Sequence, residues 1–164
     1  MKVGLVMGSD SDFPVMKKAL AIFKDFGVDY DVLLASAHRT PQAVRDFVTT
    51  AEERGISVII AGAGMAAHLP GVIASYTTLP VIGVPLESGS LEGMDALLAI
   101  VQMPSGMPVA TMAINGSKNA ALFAIQIGAT KDPELAKKYK AYREDMARQV
   151  MEKNRKLQET IQSL

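Results

Sequence analysis

The 164-residue sequence has no cysteine, only two histidines and, between Gly55 and Ser117, not one lysine or arginine. The missing cysteine excludes disulfides, thiolate metal ligands and a cysteine nucleophile, and it fits a cytoplasmic setting. Formal charge sums to zero. No whole-molecule field therefore gathers nucleic acid, and no basic run interleaved with aromatics takes its place. No unbroken apolar run approaches the ~18 residues of a membrane span. The opening MKVGLVMGSDSD is not read as a signal peptide, because its apolar run is too short and leads straight into an acidic loop. There is no H-x-x-x-H, no H-E-x-x-H and no carboxylate cluster, so no metal is expected. A G-x-x-x-x-G-K-S/T loop is also lacking, which argues against hydrolysis of a nucleoside triphosphate.

What is present reads as one domain, residues 1–164, with no linker. Nearly half of the residues are apolar, enough for a sizeable core. Five β-rich runs stand out: KVGLVMG (2–8), DYDVLLAS (29–36), SVIIAGA (57–63), PVIGVP (80–85) and VATMAI (109–114). Their apolar residues are nearly continuous, the pattern of strands buried on both faces. Helices are predicted between and after them. One covers 13–26, with Pro14 in its first turn and Gly27 as its stop; another covers 41–54, with Thr40 as N-cap and Gly55 as its stop. Three more fall at 66–76, 91–101 and 118–129. Repeated βα units imply an α/β fold, a parallel sheet between two helical layers, and five strands suggest the flavodoxin-like order 2-1-3-4-5.

The last 34 residues differ from this 1–130 core. Leu135, Tyr139, Tyr142, Met146, Val150, Leu157 and Ile161 recur at steps of three, four or seven, an apolar stripe along one helix. At about 1.5 Å per residue it would span roughly 45 Å. Strands of about 20 Å cannot cover all of that, so part of the stripe is expected to pack on another subunit; fraying into solvent beyond Val150 is the alternative. Residues 131–164 also carry nine Lys/Arg and six Asp/Glu, leaving eight and eleven to the rest of the chain. An anionic ligand held by the core thus meets few cations, and Arg39 is one of them.

In open parallel sheets ligands bind beyond the carboxyl ends of the strands, where the strand order reverses. For this order the crevice lies between the first and third strands. The loops there are GSDSDF, SAHRTP and GAGMAAHLPG, and they hold both histidines, His38 and His68, with Ser9, Ser11, Asp12, Ser36 and Arg39. GSDSD serves equally as a turn with helix caps or as an anion site of N–H groups and hydroxyls with a carboxylate for sugar hydroxyls. Thr40-Pro41 starts a helix, which needs neither His38 nor Arg39. A guanidinium suits bidentate phosphate recognition, and an imidazole suits proton transfer near neutral pH. His68 reads as a pocket residue or as a structural histidine at a helix start. Gly62, Gly64 and Ala67 mimic the G-x-G-x-x-A dinucleotide pattern, but that pattern belongs to the first βα turn and this one follows the third strand. Small residues there instead let a flat ligand approach the backbone. PLESGSLEGMDAL (85–97) is either a lid or a long βα loop. QMPSGMPVAT (102–111) reads as a rigid connection. Asn119 is either a polar group near the fifth strand's end or a first-turn helix residue. From the spacing alone, this is a flavodoxin-like domain for a small phosphorylated sugar-type ligand, with His38 as acid/base. A non-catalytic nucleotide- or flavin-binding module is the rival.

Taken together and in order, GSDSD, SAHRTP, GAGMAAHLPG, GVPLESGSLEGMDAL, IVQMPSGMPVAT and NAAL resemble the purine-biosynthesis family of carboxyaminoimidazole ribonucleotide mutases, the PurE family, over nearly all of residues 3–130. The resemblance implies a flavodoxin-like homo-octamer whose C-terminal helices pack across subunits. It implies a cofactor-free isomerase with a ribonucleotide substrate, moving a carboxyl group from an exocyclic nitrogen to ring carbon C4. His38 matches the acid/base residue. Ser11, Ser36 and Arg39 match the phosphate site, Asp12 the ribose site, and Ser9, Gly64 and His68 the base and carboxylate end. A second branch of the family carboxylates aminoimidazole ribonucleotide directly and tends to have Lys in place of Arg39, so SAHRTP favours the mutase branch. Asp10, Met65 and the compact NGSKNAAL turn depart from the family pattern, and Asp10 adds negative charge beside the phosphate site.

Overall fold

A computed structural model describes residues 1–66 and 68–164. Five parallel strands form one sheet: β1 (Lys2–Met7), β2 (Asp29–Leu34), β3 (Ile56–Gly64), β4 (Val81–Leu86) and β5 (Ala110–Thr111). Their order is β2-β1-β3-β4-β5, as the alternation of strand and helix implied. The helices are α1 (Phe13–Phe26), α2 (Pro41–Thr49), α3 (Leu69–Ala74), α4 (Met94–Val101), α5 (Ser117–Ala129) and α6 (Pro133–Gln162). The chain forms two compact units, Met1–Ala124 and Ile125–Leu164.

Strand alternation sorts the core of the first unit into two layers. Val6, Ile59, Ala61 and Ala63 meet Val44 and Val48 of α2, Leu69 and Ile73 of α3 and Ile100 of α4. On the opposite face Gly62 leaves room for Met16 of α1, whose sulfur lies 2.6 Å from where a Cβ would stand. The buried Ser117 hydroxyl donates to Val15 O at 2.6 Å and ties the start of α5 to α1. In the second unit α6 is 30 residues long and is capped by Asp132, which accepts the N–H groups of Glu134 and Leu135. Met146, Val150, Leu157 and Ile161 of its stripe are exposed. Among the described residues no helix is long and apolar enough to cross a membrane.

Several elements differ from their sequence pattern. β2 is not buried on both faces: Tyr30, Val32 and Leu34 are 41%, 43% and 56% exposed. As the edge strand it is covered on the α2 face, while on the other face α1 meets it through Phe23, whose ring centroid lies 5.8 Å from that of Tyr30. The fifth strand shrinks from 109–114 to two residues, because Pro108 has no N–H to give and Asn115 turns the chain away at φ +59. α2 stops at Thr49 rather than at residue 54: the Thr49 and Thr50 hydroxyls bond the Arg45 and Asp46 carbonyls, and loose turns lead to Gly55 at φ +77. Thr40 holds the N-cap position, yet its hydroxyl makes no cap bond to the helix. The 91–101 helix begins at Met94, after a short 3-10 turn over Gly89–Leu91. The helix expected over 66–76 is α3, Leu69–Ala74; its expected second residue, Ala67, which also closes the G-x-G-x-x-A pattern, lies outside the described residues.

Candidate active site

The sheet register sets the site. Met7 pairs with both Leu34 and Gly62, and Gly64 pairs with Leu86. The loops that follow β1, β2, β3 and β4 therefore leave the carboxyl end of the sheet, and the strand order reverses between β1 and β3.

The β1 loop is a capping box. Ser9 N–H donates to the Asp12 carboxylate at 2.9 Å and the Ser9 side chain accepts from the Asp12 N–H, which also reaches the backbone Ser9 O at 3.2 Å. The Ser11 hydroxyl donates to Ser9 Oγ at 2.8 Å, and the Ser9 hydroxyl donates to Asp10 Oδ1 at 3.2 Å. Both serine protons are thus used inside the loop. Burial pushes the Asp12 carboxyl above the ordinary carboxylate range; the N–H groups of Ser9 and Gly8 pull it part of the way back, and Asp10 pushes it up again.

The β2 loop is closed by two hydroxyls. Ser36 Oγ accepts the N–H groups of His38 (3.3 Å) and Arg39 (3.2 Å). With both lone pairs taken, its own proton is what Ser36 offers a ligand. Thr40 turns back on the loop instead of onto α2: its Oγ1 accepts Ser36 N–H at 2.9 Å and donates to Ser36 O at 3.2 Å. That explains the absent helix cap. Arg39 Nη2 then donates to Gly8 O at 3.3 Å, joining the β2 loop to the β1 loop. Its remaining N–H groups are available for other acceptors. The imidazole of His38 next to it is exposed.

The β3 loop is shaped by small residues. A Cβ on Gly64 would lie 2.5 Å from Ser88 Oγ, and Met65, at φ +55, donates its N–H to that same oxygen at 3.0 Å. His68 stands at the N-cap of α3, and its ring lies on Gly71, where a Cβ would come within 1.8 Å of Nε2. Its Nδ1 is buried without a hydrogen-bond partner among the described residues. A buried polar nitrogen of this kind wants an explanation.

Of the expected residues, Ser9, Ser11, Asp12, Ser36 and Arg39 fall in two loops joined by one guanidinium, with His38 beside it. Gly64 and His68 fall in the third loop, at the same end of the sheet. Asn119 sits exposed in the first turn of α5, as a helix residue. The 85–97 loop is pinned at its base: a Cβ on Gly93, at φ +88, would lie 3.1 Å from Glu87 Cα. Sequence reading passed over Ser88 and Asn115. Asn115 had one signal, an Asn-Gly pair of the kind that tolerates left-handed backbone; Ser88 had none.

Against known proteins, the model of the AIR carboxylase family matches residues 2–149. The N5-carboxyaminoimidazole ribonucleotide mutase of Pyrococcus horikoshii is 59% identical over 157 residues, 96% of this chain and 89% of that protein. The protein of the same name from Thermotoga maritima is 56% identical over 158 residues, 96% of this chain and 92% of its own length. The crystal structure of Treponema denticola PurE has a TM-score of 0.84 at 31% identity, covering 95% of this chain and 98% of that one. A family match that runs from β1 into α6, on a fold shared with a solved member, leaves one conclusion: the chain belongs to the AIR carboxylase, or PurE, family.

Proposed function

We infer that this chain is an isomerase of purine biosynthesis that moves the carboxyl group of N5-carboxyaminoimidazole ribonucleotide from the exocyclic nitrogen to ring C4, giving 4-carboxy-5-aminoimidazole ribonucleotide. The observation that carries this reading is the Arg39–Gly8 contact. It sets the single cation of the three loops, next in the chain to His38, at the crevice where the topology puts a ligand. The mutase name borne by relatives more than half identical supports the choice of substrate.

The residues divide the work. Arg39 and the Ser36 proton hold the phosphate, joined by Ser11 once its hydroxyl turns away from Ser9. Asp12 keeps acceptor capacity beside the Ser9 bond and takes the ribose hydroxyls. Ser9, Gly64 and His68 line the base and carboxylate end. In the reaction the N–CO2 bond breaks and protonated His38 gives its proton to the nitrogen, leaving aminoimidazole ribonucleotide and carbon dioxide in the site. C4 then attacks the carbon dioxide, and neutral His38 removes the C4 proton, which restores the aromatic ring and the starting protonation state. No proton is consumed overall. Water exclusion keeps the carbon dioxide from escaping.

We also infer one functional domain, residues 1–164, in which the 1–130 core carries the chemistry and residues 131–164 serve assembly, in a cytoplasmic homo-octamer. The exposed apolar residues of α6 support assembly, as do Leu91, Met94, Leu98 and Val101, which line the outer side of α4 and the turn before it. Replacing His38 tests the mechanism. His38→Asn is expected to abolish turnover while the product nucleotide still binds, measured by calorimetry; near-normal turnover would remove His38 from the chemistry.

A further inference from the structure

One set of contacts at this end of the sheet serves neither the phosphate, the ribose nor the proton transfer. Leu86 ends β4 beside Gly64 of β3, and the next two residues reach in opposite directions. Ser88 Oγ accepts the Met65 N–H at 3.0 Å. Glu87 N–H donates to Asn115 Oδ1 at 3.0 Å, and Asn115 Nδ2 donates back to Glu87 Oε2 at 2.9 Å. Asn115 is fixed in turn by its own N–H, which donates to Pro85 O at 2.8 Å. The loops after β3, β4 and β5 are therefore linked in series, from Met65 through Ser88 and Glu87 to Asn115.

Two features set this series apart from ordinary surface hydrogen bonding. Both of its ends, Met65 and Asn115, are non-glycine residues with left-handed backbone, at φ +55 and +59. For Met65 that conformation is disfavoured and persists where the surroundings enforce it, often beside functional sites, whereas Asn115 adopts it readily. The bonds themselves face solvent, where each contributes little net stability. A strained geometry held by weakly stabilising bonds is better explained by the position it fixes than by the stability it adds. The position it fixes is the Gly64–Met65 backbone, three residues before His68.

We propose that Ser88, Glu87 and Asn115 are positioning residues that set the base end of the site through the Gly64–Met65 backbone. The proposal rests on the reading that Gly64 and His68 line the base and carboxyl group. The phosphate end hangs on Ser36, Arg39 and Ser11, which belong to separate hydrogen bonds, so loosening the series acts on the chemical step and not on nucleotide capture.

The kinetics of three variants and the hydrogen exchange of a fourth test this. Asn115→Gly keeps left-handed freedom and removes the amide; Glu87→Ala removes the acceptor; Glu87→Gln keeps an acceptor for Asn115 Nδ2. Asn115→Gly and Glu87→Ala are expected to lower kcat about tenfold to a hundredfold, the scale of a misplacement near 1 Å. KM and the urea midpoint should stay near wild type, and Glu87→Gln should recover most of the rate. Wild-type turnover in the first two variants would overturn the proposal, as would an equal loss in all three, or a loss that follows unfolding. An independent readout is backbone hydrogen exchange over residues 64–66, which should speed up in Ser88→Ala and Asn115→Gly. Unchanged exchange overturns the proposal. If the wild-type protein turns over no mutase substrate, faster exchange still supports the linkage, and the failure then belongs to the functional reading.

Discussion

At the scale of single residues, scarcity makes Arg39 consequential. The β1, β2 and β3 loops hold two aspartates before α1 and one cation. A phosphate bound there meets the carboxylates of Asp10 and Asp12 nearby, and Arg39 must outweigh them. Arg39→Ala is expected to weaken nucleotide binding by about 1.5–3 kcal/mol, the scale of a charged hydrogen bond, with a smaller effect on kcat. Calorimetric titration with the product nucleotide checks this; an unchanged Kd contradicts it. His38, Arg39, Ser36 and the serines of GSDSD were legible in the sequence because loop composition and strand order are enough to gather them. The way Thr40 is used was not legible. Its choice between capping α2 and closing on Ser36 depends on backbone angles that residue identity leaves open. The orphaned Nδ1 of His68 was equally out of reach, since it follows from the ring lying on Gly71.

At the scale of elements, one glycine stop held and the other did not. Gly27 takes the left-handed backbone that ends α1, at φ +69, whereas Gly55, at φ +77, only closes the turns that follow α2, which has already ended at Thr49. β5 was overestimated because VATMAI has strand-like residues throughout, while the sheet offers the edge just one neighbour. β2 was misread for a related reason: an apolar run looks the same at an edge as at the centre. One of its two aspartates, Asp31, belongs to a charge cluster at the far end of the strands from the site. Lys2 Nζ lies 2.8 Å and Arg54 Nη1 2.6 Å from the Asp31 carboxylate. The hydrogen bond from Lys2, with the nearby Lys2 and Arg54 charges, holds that carboxyl below the ordinary carboxylate range. A group whose folded value is depressed adds stability that is complete above its unfolded value, about 3.9, and fades as pH falls through the lower folded value. Asp31→Asn should therefore lower the unfolding free energy at neutral pH, read from urea titration, by a small amount, below about 1 kcal/mol per pair for such partly exposed ions. The gap to wild type should close in strong acid. A gap that persists there contradicts the electrostatic account.

At the scale of the whole molecule, apolar residues remain uncovered on β2, on the outer side of α4 and along α6. Patches of this kind mark contact surfaces. The native mass, measured by light scattering on the eluted particle, is expected to be about eight times the 17.5 kDa of one chain; a 17.5 kDa particle contradicts assembly. The fold itself was legible at this scale, since alternation of strands and helices allows few topologies and the right-handed crossover rule prunes them further. The coupling of distant loops through Ser88, Glu87 and Asn115 was not, because it joins positions 23 and 28 residues apart that only the folded sheet brings together. A mutase site moves a carboxyl group within one substrate. The most direct measurement offers purified protein each substrate separately and follows 4-carboxy-5-aminoimidazole ribonucleotide. Rapid formation from N5-carboxyaminoimidazole ribonucleotide, with little from aminoimidazole ribonucleotide and bicarbonate at equal concentration, is the predicted result. Turnover of aminoimidazole ribonucleotide with bicarbonate but not of the carbamate would contradict it and make the chain a direct carboxylase.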